Sequence, residues 1–355
     1  MQTHQINQSM AISSTLTIAE IARLAGVGTA TVDRVVNGRP GVNAETMAKV
    51  RQVISGMDEA ARPLGRPRQR DALRFAYVLP DSGSPFFDAV ERQVAQSASD
   101  FRHQHITSVV CRFSADDSMK FSNDLSQLND CDGVALLAVD VPVVKRAIAE
   151  LVTAGVHVVT LFSDVAGSAR QLFVGADNRA AGRTAGVLLG NMAGVANRDL
   201  MLLLSQGTRL SSEIERRIGF AQVLEENFPR MRIMQITDLP KSDDDVCQAM
   251  LGYLQHEVDP ARLAGIYLVG PGTVGLLRAL TQLDLTGAQG VVVHDLTEMH
   301  THLLTRGEIS YVLHQDVHYC VLNAASVLRK LCVNARGALN VVQPRIEILT
   351  AENLR

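Results

Sequence analysis

Long apolar runs are missing from this chain of 355 residues. No stretch approaches the roughly 20 apolar residues that a membrane-spanning helix needs, which argues against a transmembrane protein. The N-terminal segment MQTHQINQSMAISS has neither the basic start nor the apolar stretch of a secretory signal peptide. We therefore expect no membrane insertion and no secretion through such a signal.

Cysteines are few and irregularly spaced. The chain has no C-x-x-C pair and no zinc-ligand spacing among its five cysteines, Cys111, Cys131, Cys247, Cys320 and Cys332. An odd number of scattered thiols is typical of a protein from a reducing cytoplasm. A P-loop lysine, a G-x-S-x-G motif and an H-E-x-x-H motif are also missing, so these motifs give no sign of an enzyme.

Three histidines, His294, His300 and His302, lie in the segment HDLTEMHTH. Side chains two positions apart do not share a face of a helix, which weakens a metal-binding interpretation. We predict a surface helix here. Neither a metal nor a cofactor is expected in this protein.

Charge is distributed unevenly along the chain. Residues 1–75 contain ten Lys or Arg and six Asp or Glu, a net charge of +4, whereas the whole chain carries −3. The remaining 280 residues therefore carry −7. A basic head on an acidic body indicates that the head binds a polyanion and that the body has another task.

From residue 75 onwards, short apolar runs alternate with segments of helical periodicity. Nine of these runs are predicted strands, at residues 75–79, 106–111, 134–139, 157–161, 200–204, 232–236, 265–269, 291–294 and 311–313. Such alternation predicts parallel sheets covered by helices. Nine βα units are too many for one open sheet, so we predict an α/β body of two doubly wound lobes of about 140 residues each.

Residues 15–60 have the pattern of a small all-α helix-turn-helix unit. The capping box from Thr17 to Glu20 begins a first helix, and Gly26 can end it in a left-handed conformation. A second helix is predicted over residues 29–37, and Asn43 can cap a third. In a helix-turn-helix the second helix enters the major groove of DNA. The alternative is a three-helix packing unit without DNA contact, which the basic head and linker disfavour.

The segment TIAEIARLAGVGTATVDRVVNGRPGVNAETMAKV resembles the N-terminal domain of LacI/GalR-family transcriptional regulators, without a gap through residues 15–60. The resemblance implies that bases are read by Thr29, Ala30 and Arg34. It implies phosphate contacts or helix capping by Thr17, Asn37 and Asn43. Gly28 stands where the family usually has Ser or Thr, and Asp33 where it usually has Ser. Asp33 could repel phosphate, accept a hydrogen bond from cytosine, or pair with a neighbouring arginine.

Residues 61–74 contain five arginines and two prolines, a composition typical of a charged linker. Ala61, Arg62 and Leu64 resemble the hinge of the same family, whose leucine enters the minor groove at the operator centre. Pro63 departs from that pattern, because proline fits the first turn of a helix but disrupts its interior. The resemblance thus implies a DNA contact for Leu64, and an ordinary linker residue is the alternative.

The body resembles the periplasmic-binding-protein-like effector domain of the same family in the motifs DSGSPFF, VGADNRAAGRTAG, ERRIGF and HDLT. The resemblance implies two lobes that hold a sugar or sugar derivative at the C-terminal ends of strands. The residues it assigns to this effector are Phe86 or Phe87, Asp164, Arg216, Asp295 and Gln315, with Thr273 in place of a polar contact that the family often has. Core packing, turn capping and a surface arginine are the alternatives for these residues.

A dinucleotide-binding pattern competes with this interpretation. Gly270, Gly272 and Gly275 form G-x-G-x-x-G between a predicted strand and helix, and Asp295 follows 20 residues after Gly275. The pattern lies too late in the chain for a complete nucleotide-binding half followed by a catalytic domain. No Ser-Tyr-x-x-x-Lys set accompanies it, so a nicotinamide-dependent oxidoreductase is disfavoured.

The sequence therefore predicts a disordered arm at residues 1–14, a helix-turn-helix at 15–60, a hinge at 61–74 and a two-lobed body at 75–355. The predicted function is a cytoplasmic transcriptional regulator and not an enzyme. The resemblance implies a homodimer that binds a pseudo-palindromic operator in double-stranded DNA and responds to a carbohydrate effector. A transporter's solute-binding protein is the alternative, and the basic head counts against it.

Overall fold

The computed structural model describes residues 18–36, 42–43, 45–50, 53, 72–114, 116–196, 198–207, 210–287, 289–333 and 342–354. They belong to two compact units, one within residues 1–68 and the other within residues 69–355. The predicted arm and most of the predicted hinge, including Pro63 and Leu64, lie outside the described residues. The first strand of the body begins at Leu73, so the last two residues of the predicted hinge belong to that strand.

The head contains the two helices of the predicted turn, α1 (Ile18–Ala25) and α2 (Thr29–Val36). Gly26 between them has a φ of 66°, the left-handed conformation that the sequence predicts for it. Residues 45–50 are also helical, and Asn43 Oδ1 accepts a hydrogen bond from Thr46 N at 2.8 Å, as expected of a cap. A small core of Ala22, Val32 and Val50 holds these segments together.

The first lobe of the body is a five-stranded sheet in the order β2-β1-β3-β4-β5, with every adjacent pair parallel. Its elements are β1 (Leu73–Asp81), α3 (Pro85–Gln96), α4 (Ala98–His103), β2 (Ile106–Ser114), α5 (Ser118–Ser126), a 3-10 turn (Leu128–Asp130), β3 (Gly133–Leu136), α6 (Pro142–Thr153), β4 (His157–Leu161) and β5 (Leu172–Val174). Two clusters of buried apolar side chains cover its faces.

The second lobe is a six-stranded sheet in the order β11-β10-β9-β8-β6-β7, in which only β11 runs antiparallel to its neighbour. Its elements are α7 (Asn178–Ala196), β6 (Leu200–Leu204), α8 (Ser211–Asn227), β7 (Arg232–Ile236), α9 (Asp243–His256), β8 (Leu263–Leu268), α10 (Thr273–Gln282), β9 (Gly290–His294), α11 (Glu298–Thr305), β10 (Tyr311–Gln315) and β11 (Ile346–Leu349). The remaining helix, α12 (Val317–Cys332), returns to pack on the first sheet.

The two doubly wound lobes confirm the predicted fold of the body. All nine predicted runs overlap strands, although the run 134–139 continues three residues beyond β3 and the run 265–269 one residue beyond β8, whereas β5 and β11 are short and were not predicted. A strand of three or four residues gives too few positions for an alternating pattern to stand out. Among the described residues, no helix combines the length and apolarity needed to cross a membrane.

Helices α7 and α8 touch backbone to backbone. A Cβ atom added to Gly182 would lie 1.9 Å from Arg216 O, and one added to Gly219 would lie 2.1 Å from Arg179 O. Real Cβ atoms do not approach other heavy atoms so closely, so glycine is required at both points. This contact fixes the backbone of Arg216 against α7.

Replacing Gly182 with alanine should lower the midpoint of thermal unfolding, because the new methyl group would force α7 away from α8. Overpacking of this kind costs about 1–3 kcal/mol. The control is Gly252→Ala, since a Cβ atom at Gly252 inside α9 meets nothing within 4 Å. Alanine there should stabilise the protein by about 0.5–1 kcal/mol. Unchanged unfolding of Gly182→Ala would contradict the helix contact.

Candidate functional site

The first candidate site is the exposed side of α2 in the head. Thr29, Ala30 and Arg34 are all exposed, whereas Val32 on the same helix is fully buried. The structure thus presents to solvent the three residues for which base contacts are expected. Asn43 is exposed as well, and its side chain caps the next helical segment. Thr17 and Asn37 lie outside the described residues.

The second candidate site is a cavity of about 660 Å³ between the two sheets of the body. Six of the seven predicted effector residues line it: Phe86, Phe87, Arg216, Thr273, Asp295 and Gln315. They come from the segments that follow β1, β6, β8 and β9, and from the last residue of β10. The C-terminal ends of parallel strands are where α/β proteins commonly hold ligands.

Arg216 lies on the second lobe and is only 7% exposed. Its Nε donates to Asn178 Oδ1 at 2.9 Å, and its Nη1 donates to Val269 O at 3.4 Å. Asn178 in turn donates from Nδ2 to Phe162 O at 3.1 Å. These bonds hold the guanidinium in place in the wall of the cavity, where a charged donor can bond to a ligand.

A hydrogen-bonded set of side chains surrounds Asp295. His300 Nδ1 lies 2.7 Å from Asp295 O, and His300 Nε2 lies 3.0 Å from Thr273 Oγ1. A carbonyl oxygen only accepts, so Nδ1 carries the proton and Nε2 accepts from the hydroxyl. Burial lowers the pKa of His300, which favours this neutral form. Histidine thereby holds Asp295, whose φ is 62°, in a left-handed conformation.

Gln315 completes this set from the end of β10. Its Nε2 donates to Asp295 Oδ1 at 3.2 Å. Its side chain is 4% exposed, and its Oε1 has no hydrogen-bond partner among the described residues. A buried amide oxygen without a partner is costly, which makes Oε1 a natural acceptor for a donor group on a ligand.

His294 and Tyr267 form a second buried pair in this wall. Tyr267 Oη and His294 Nε2 are 2.6 Å apart, and both side chains are buried. Burial lowers the pKa of His294 well below its ordinary value, and the nearby Arg216 charge lowers it further. The expectation of a surface helix was therefore wrong for two of the three histidines: α11 exists, but His300 is buried in it and His294 lies on β9.

The sequence carries a signal for the placement of these two histidines. His294 follows three valines at the end of a buried strand, and His300 occupies the first turn of a helix capped by Thr297. Both positions adjoin the C-terminal edge of the sheet, where ligand contacts concentrate. No group of described histidine, cysteine or carboxylate side chains has the arrangement of a metal site.

The first-lobe wall of the cavity is aromatic. The ring centroid of Phe86 lies 5.2 Å from that of Phe162, with the rings edge to face, and 5.7 Å from that of Phe87. Phe87 and Phe162 are buried, whereas Phe86 is half-buried. Both alternatives for the stacking ring therefore line the cavity, and Phe86 is the more accessible of the two.

Asp164 does not line this cavity, contrary to its expected role. Its carboxylate forms a two-bonded pair with Arg170 and also accepts from Thr160 Oγ1 at 2.7 Å. Burial alone would raise the pKa of Asp164, but these hydrogen bonds from Arg170 and Thr160 lower it. The aspartate instead borders a separate, smaller hollow of about 190 Å³. Its partner lies six residues further along the chain, a pairing that no short motif reveals.

The glycines of the dinucleotide-like pattern have a packing explanation. Gly272 has a φ of 113°, and a Cβ atom on Gly275 would lie 2.4 Å from Asp243 O. Gly275 N donates to Asp243 Oδ1 at 3.0 Å. An N–H group at the start of α10, where a pyrophosphate would bind, is thus already bonded to a carboxylate of α9.

Two family models match the chain. Residues 17–58 match the model of bacterial regulatory proteins of the lacI family. Residues 75–335 match the model of the periplasmic binding protein domain. The second match covers most of the chain and spans the body from β1 to the end of α12, leaving out β11.

The chain is also similar to individual proteins. Catabolite control protein A from Staphylococcus aureus is 30% identical over 124 residues, which are 35% of this chain and 37% of that protein. The match thus spans little more than a third of that relative's length.

Solved structures share the fold of the body. One is an ABC transporter solute-binding protein from Burkholderia graminis in complex with D-arabinose, with a TM-score of 0.72 and 17% identity over 81% of this chain and 98% of that chain. GanP, a glucose-galactose binding protein from Geobacillus stearothermophilus, has a TM-score of 0.69 and 16% identity over 80% and 99%. At these identities the likeness concerns the fold alone. The family models, and not this likeness, show that the chain belongs to the periplasmic binding protein domain family over residues 75–335 and carries a head that matches the lacI family of bacterial regulatory proteins over residues 17–58.

Proposed function

We propose that this protein is a sequence-specific DNA-binding transcriptional regulator, acting as a repressor, whose operator affinity is controlled by a sugar or sugar derivative bound in the body. The observation that carries the proposal is the presence in one chain of an exposed recognition helix and a large cavity lined by buried polar side chains. Neither feature alone would connect DNA binding to a small ligand.

The head supplies the chemistry of base recognition. Arg34 is exposed on α2, and a guanidinium can donate two hydrogen bonds to the O6 and N7 atoms of guanine. Thr29 and Ala30 offer a hydroxyl and a methyl group near the start of the same helix. We propose that two such heads, in a homodimer, read the halves of a pseudo-palindromic operator in double-stranded DNA. The hinge leucine, Leu64, would contact the operator centre.

The body supplies the chemistry of ligand binding. Arg216, Asp295 and Gln315 offer both donors and acceptors, and neighbouring hydroxyls of a sugar need such paired partners. Proteins with this fold include one solved with D-arabinose and one named for glucose and galactose. We propose that the effector stabilises one arrangement of the lobes and changes operator affinity by about 5- to 150-fold, a coupling of ~1–3 kcal/mol.

This function needs no catalysis and places the protein in the cytoplasm, where its DNA is. The experiment that tests it selects bound sequences from a random double-stranded library and then measures operator binding by fluorescence anisotropy, with and without candidate sugars. Failure to enrich any sequence would refute the DNA-binding part. An enriched operator whose affinity no sugar changes would refute the effector part.

Replacing Arg34 with alanine should abolish sequence preference and leave weak, salt-sensitive DNA binding. A good bidentate contact to guanine contributes about 1–3 kcal/mol of discrimination, whereas contacts to phosphate act on all sequences alike. The control is Lys49→Ala, which removes one exposed positive charge from another helical segment of the head. Anisotropy at fixed salt compares selected and random DNA. Equal loss on both sequences in Arg34→Ala would mean that Arg34 contacts only phosphate.

Replacing Arg216 with alanine should weaken effector binding while sparing operator binding. Loss of a charged hydrogen-bond partner costs about 1.5–3 kcal/mol, or roughly 10- to 150-fold in affinity. The measurement is the thermal shift caused by D-glucose, D-galactose, D-arabinose and myo-inositol. Arg183→Ala is the matched control, because Arg183 is an exposed arginine of α7 paired with Glu226.

The variant Asp164→Ala tests whether the ligand binds in the larger cavity. Because Asp164 is paired with Arg170 outside the cavity, this change should leave sugar affinity within about threefold of wild type. An equal loss in Asp164→Ala and Arg216→Ala would contradict the assignment of the ligand to the larger cavity.

A further inference from the structure

A single peptide group, the one between Asp295 and Leu296, is held by two histidines. Its carbonyl oxygen, Asp295 O, lies 2.7 Å from His300 Nδ1, and its N–H group, on Leu296, donates to His314 Nδ1 at 3.2 Å. The first histidine belongs to α11 and the second to β10. Two separate elements therefore fix the orientation of this peptide plane.

That orientation matters because Asp295 lines the cavity between the two sheets. With a φ of 62°, Asp295 has a left-handed conformation, which a residue other than glycine keeps only where its surroundings impose it. Its N–H group donates to Leu313 O at 2.9 Å, and its carboxylate accepts from Gln315 Nε2. Release of the peptide group that follows would let Asp295 relax, and its carboxylate would move relative to the cavity.

The two imidazoles differ in how a proton affects their bonds. His300 donates from Nδ1, and a protonated ring still carries that N–H group. His314 instead accepts at Nδ1, so this nitrogen must be unprotonated. A proton there turns the acceptor into a donor that faces the N–H group of Leu296, and the hydrogen bond is lost. The bond to His314 is therefore the one that depends on pH.

His314 is half-buried, so water reaches its ring. In the antiparallel register of β10 and β11 it stands opposite the exposed Glu347, and residues paired in this way point to the same face of a sheet. A protonated ring therefore has an acidic neighbour with which it can pair. The charged or titratable groups set against the ring by the neighbouring elements are Asp295 after β9, His300 on α11, and Arg345 and Glu347 at β11.

We infer that His314 is a positioning residue for the effector site: its neutral ring holds the peptide group beside Asp295, and uptake of a proton by His314 releases that group and weakens effector binding. Because the hydrogen bond needs the unprotonated ring, effector affinity is highest above the pKa of this histidine and falls as the pH drops through it. The inference rests on the proposed function, since it adds control by protons to the same cavity.

Hydrogen exchange at the Leu296 amide tests the positioning role without any ligand. The rate in the full-length protein, measured by NMR, is divided by that of an unstructured peptide at the same pH to give a protection factor. The comparison is between about pH 7.5 and about pH 5.5, one unit on either side of the ordinary histidine pKa of about 6.5. Protection in the wild-type protein should be roughly three- to tenfold higher at the upper pH, the value of one net hydrogen bond.

The variant His314→Asn separates the acceptor from the titration. Asparagine Oδ1 lies close to the place of the imidazole Nδ1 and can accept the same bond, but it does not titrate. Its protection at Leu296 should be equal at both pH values, whereas His314→Ala should be poorly protected at both. His302→Asn, at an exposed histidine of α11, is the matched control and should retain the wild-type dependence. If His314→Asn does not fold, His314→Gln offers the same kind of acceptor.

Effector binding is then measured by calorimetry on the same proteins with D-glucose, D-galactose, D-arabinose and myo-inositol. A sugar that binds at the upper pH should bind the wild-type protein and His302→Asn roughly three- to tenfold more weakly at the lower pH. Its affinity for His314→Asn should be the same at both.

Equal protection of the Leu296 amide at both pH values in the wild-type protein would overturn the inference. So would a pH dependence, of protection or of sugar affinity, that persists in His314→Asn, or a sugar affinity of the wild-type protein that does not change with pH. If no sugar binds at either pH, the effector part of the proposed function fails, whereas hydrogen exchange still decides the role of His314.

Discussion

The close contact between α7 and α8 is the constraint on which the ligand cavity depends. It brings the backbone of Arg216 against Gly182, and the guanidinium then reaches Asn178 at the start of α7. Asn178 Nδ2 in turn donates a hydrogen bond to the carbonyl oxygen of Phe162 in the first lobe. One chain of hydrogen bonds therefore links the polar wall to the aromatic wall. A bulkier residue at Gly182 would push Arg216 away from α7 and so disturb its hydrogen bond to Asn178.

Other contacts join the lobes close to the same place. Ser163 and Ser211 share a hydrogen bond of 3.1 Å, and Ser211 Oγ donates to Asp164 O at 2.6 Å. Asp116 of the first lobe and Lys241 of the second, which are exposed and line the cavity, form an ion pair between the lobes. An exposed ion pair contributes little to stability and is easily exchanged for water. The ion pair of Asp116 and Lys241 is thus the weaker of the two connections between the lobes. A bound ligand can therefore favour one relative position of the lobes while the serine hydrogen bonds remain in place.

Much of the body could be predicted from sequence because buried parallel strands are short, continuous apolar runs. The same logic placed Asp295 directly after a strand, where the structure has it, whereas Gln315 was assigned only through the family resemblance. The same expectation does not hold for Asp164, which also follows a strand but whose carboxylate forms an ion pair with Arg170. It failed again for His300, which a helical face pattern assigns to solvent but which bonds to Thr273 on a neighbouring helix. Periodicity reports which face is apolar, and it cannot report a polar partner brought close by another element.

The glycines around α10 are a case in which a sequence pattern suggests a ligand that the packing of the helices excludes. G-x-G-x-x-G after a strand is a phosphate signature only if the N–H groups at the helix start are free to face a ligand. Here Asp243, which begins α9, accepts the hydrogen bond of Gly275 N, and its carbonyl lies where a side chain at Gly275 would be. Gly275 is required because α9 and α10 start side by side, and Gly272 because its φ is positive. A carboxylate fixed at that point also repels a phosphate, so the packing that requires the pattern removes its usual ligand. The cavity lining near that point instead combines the side chains of His300, Thr273 and Gln315 with the guanidinium of Arg216 and the carboxylate of Asp295, which supply both donors and acceptors for hydroxyl groups.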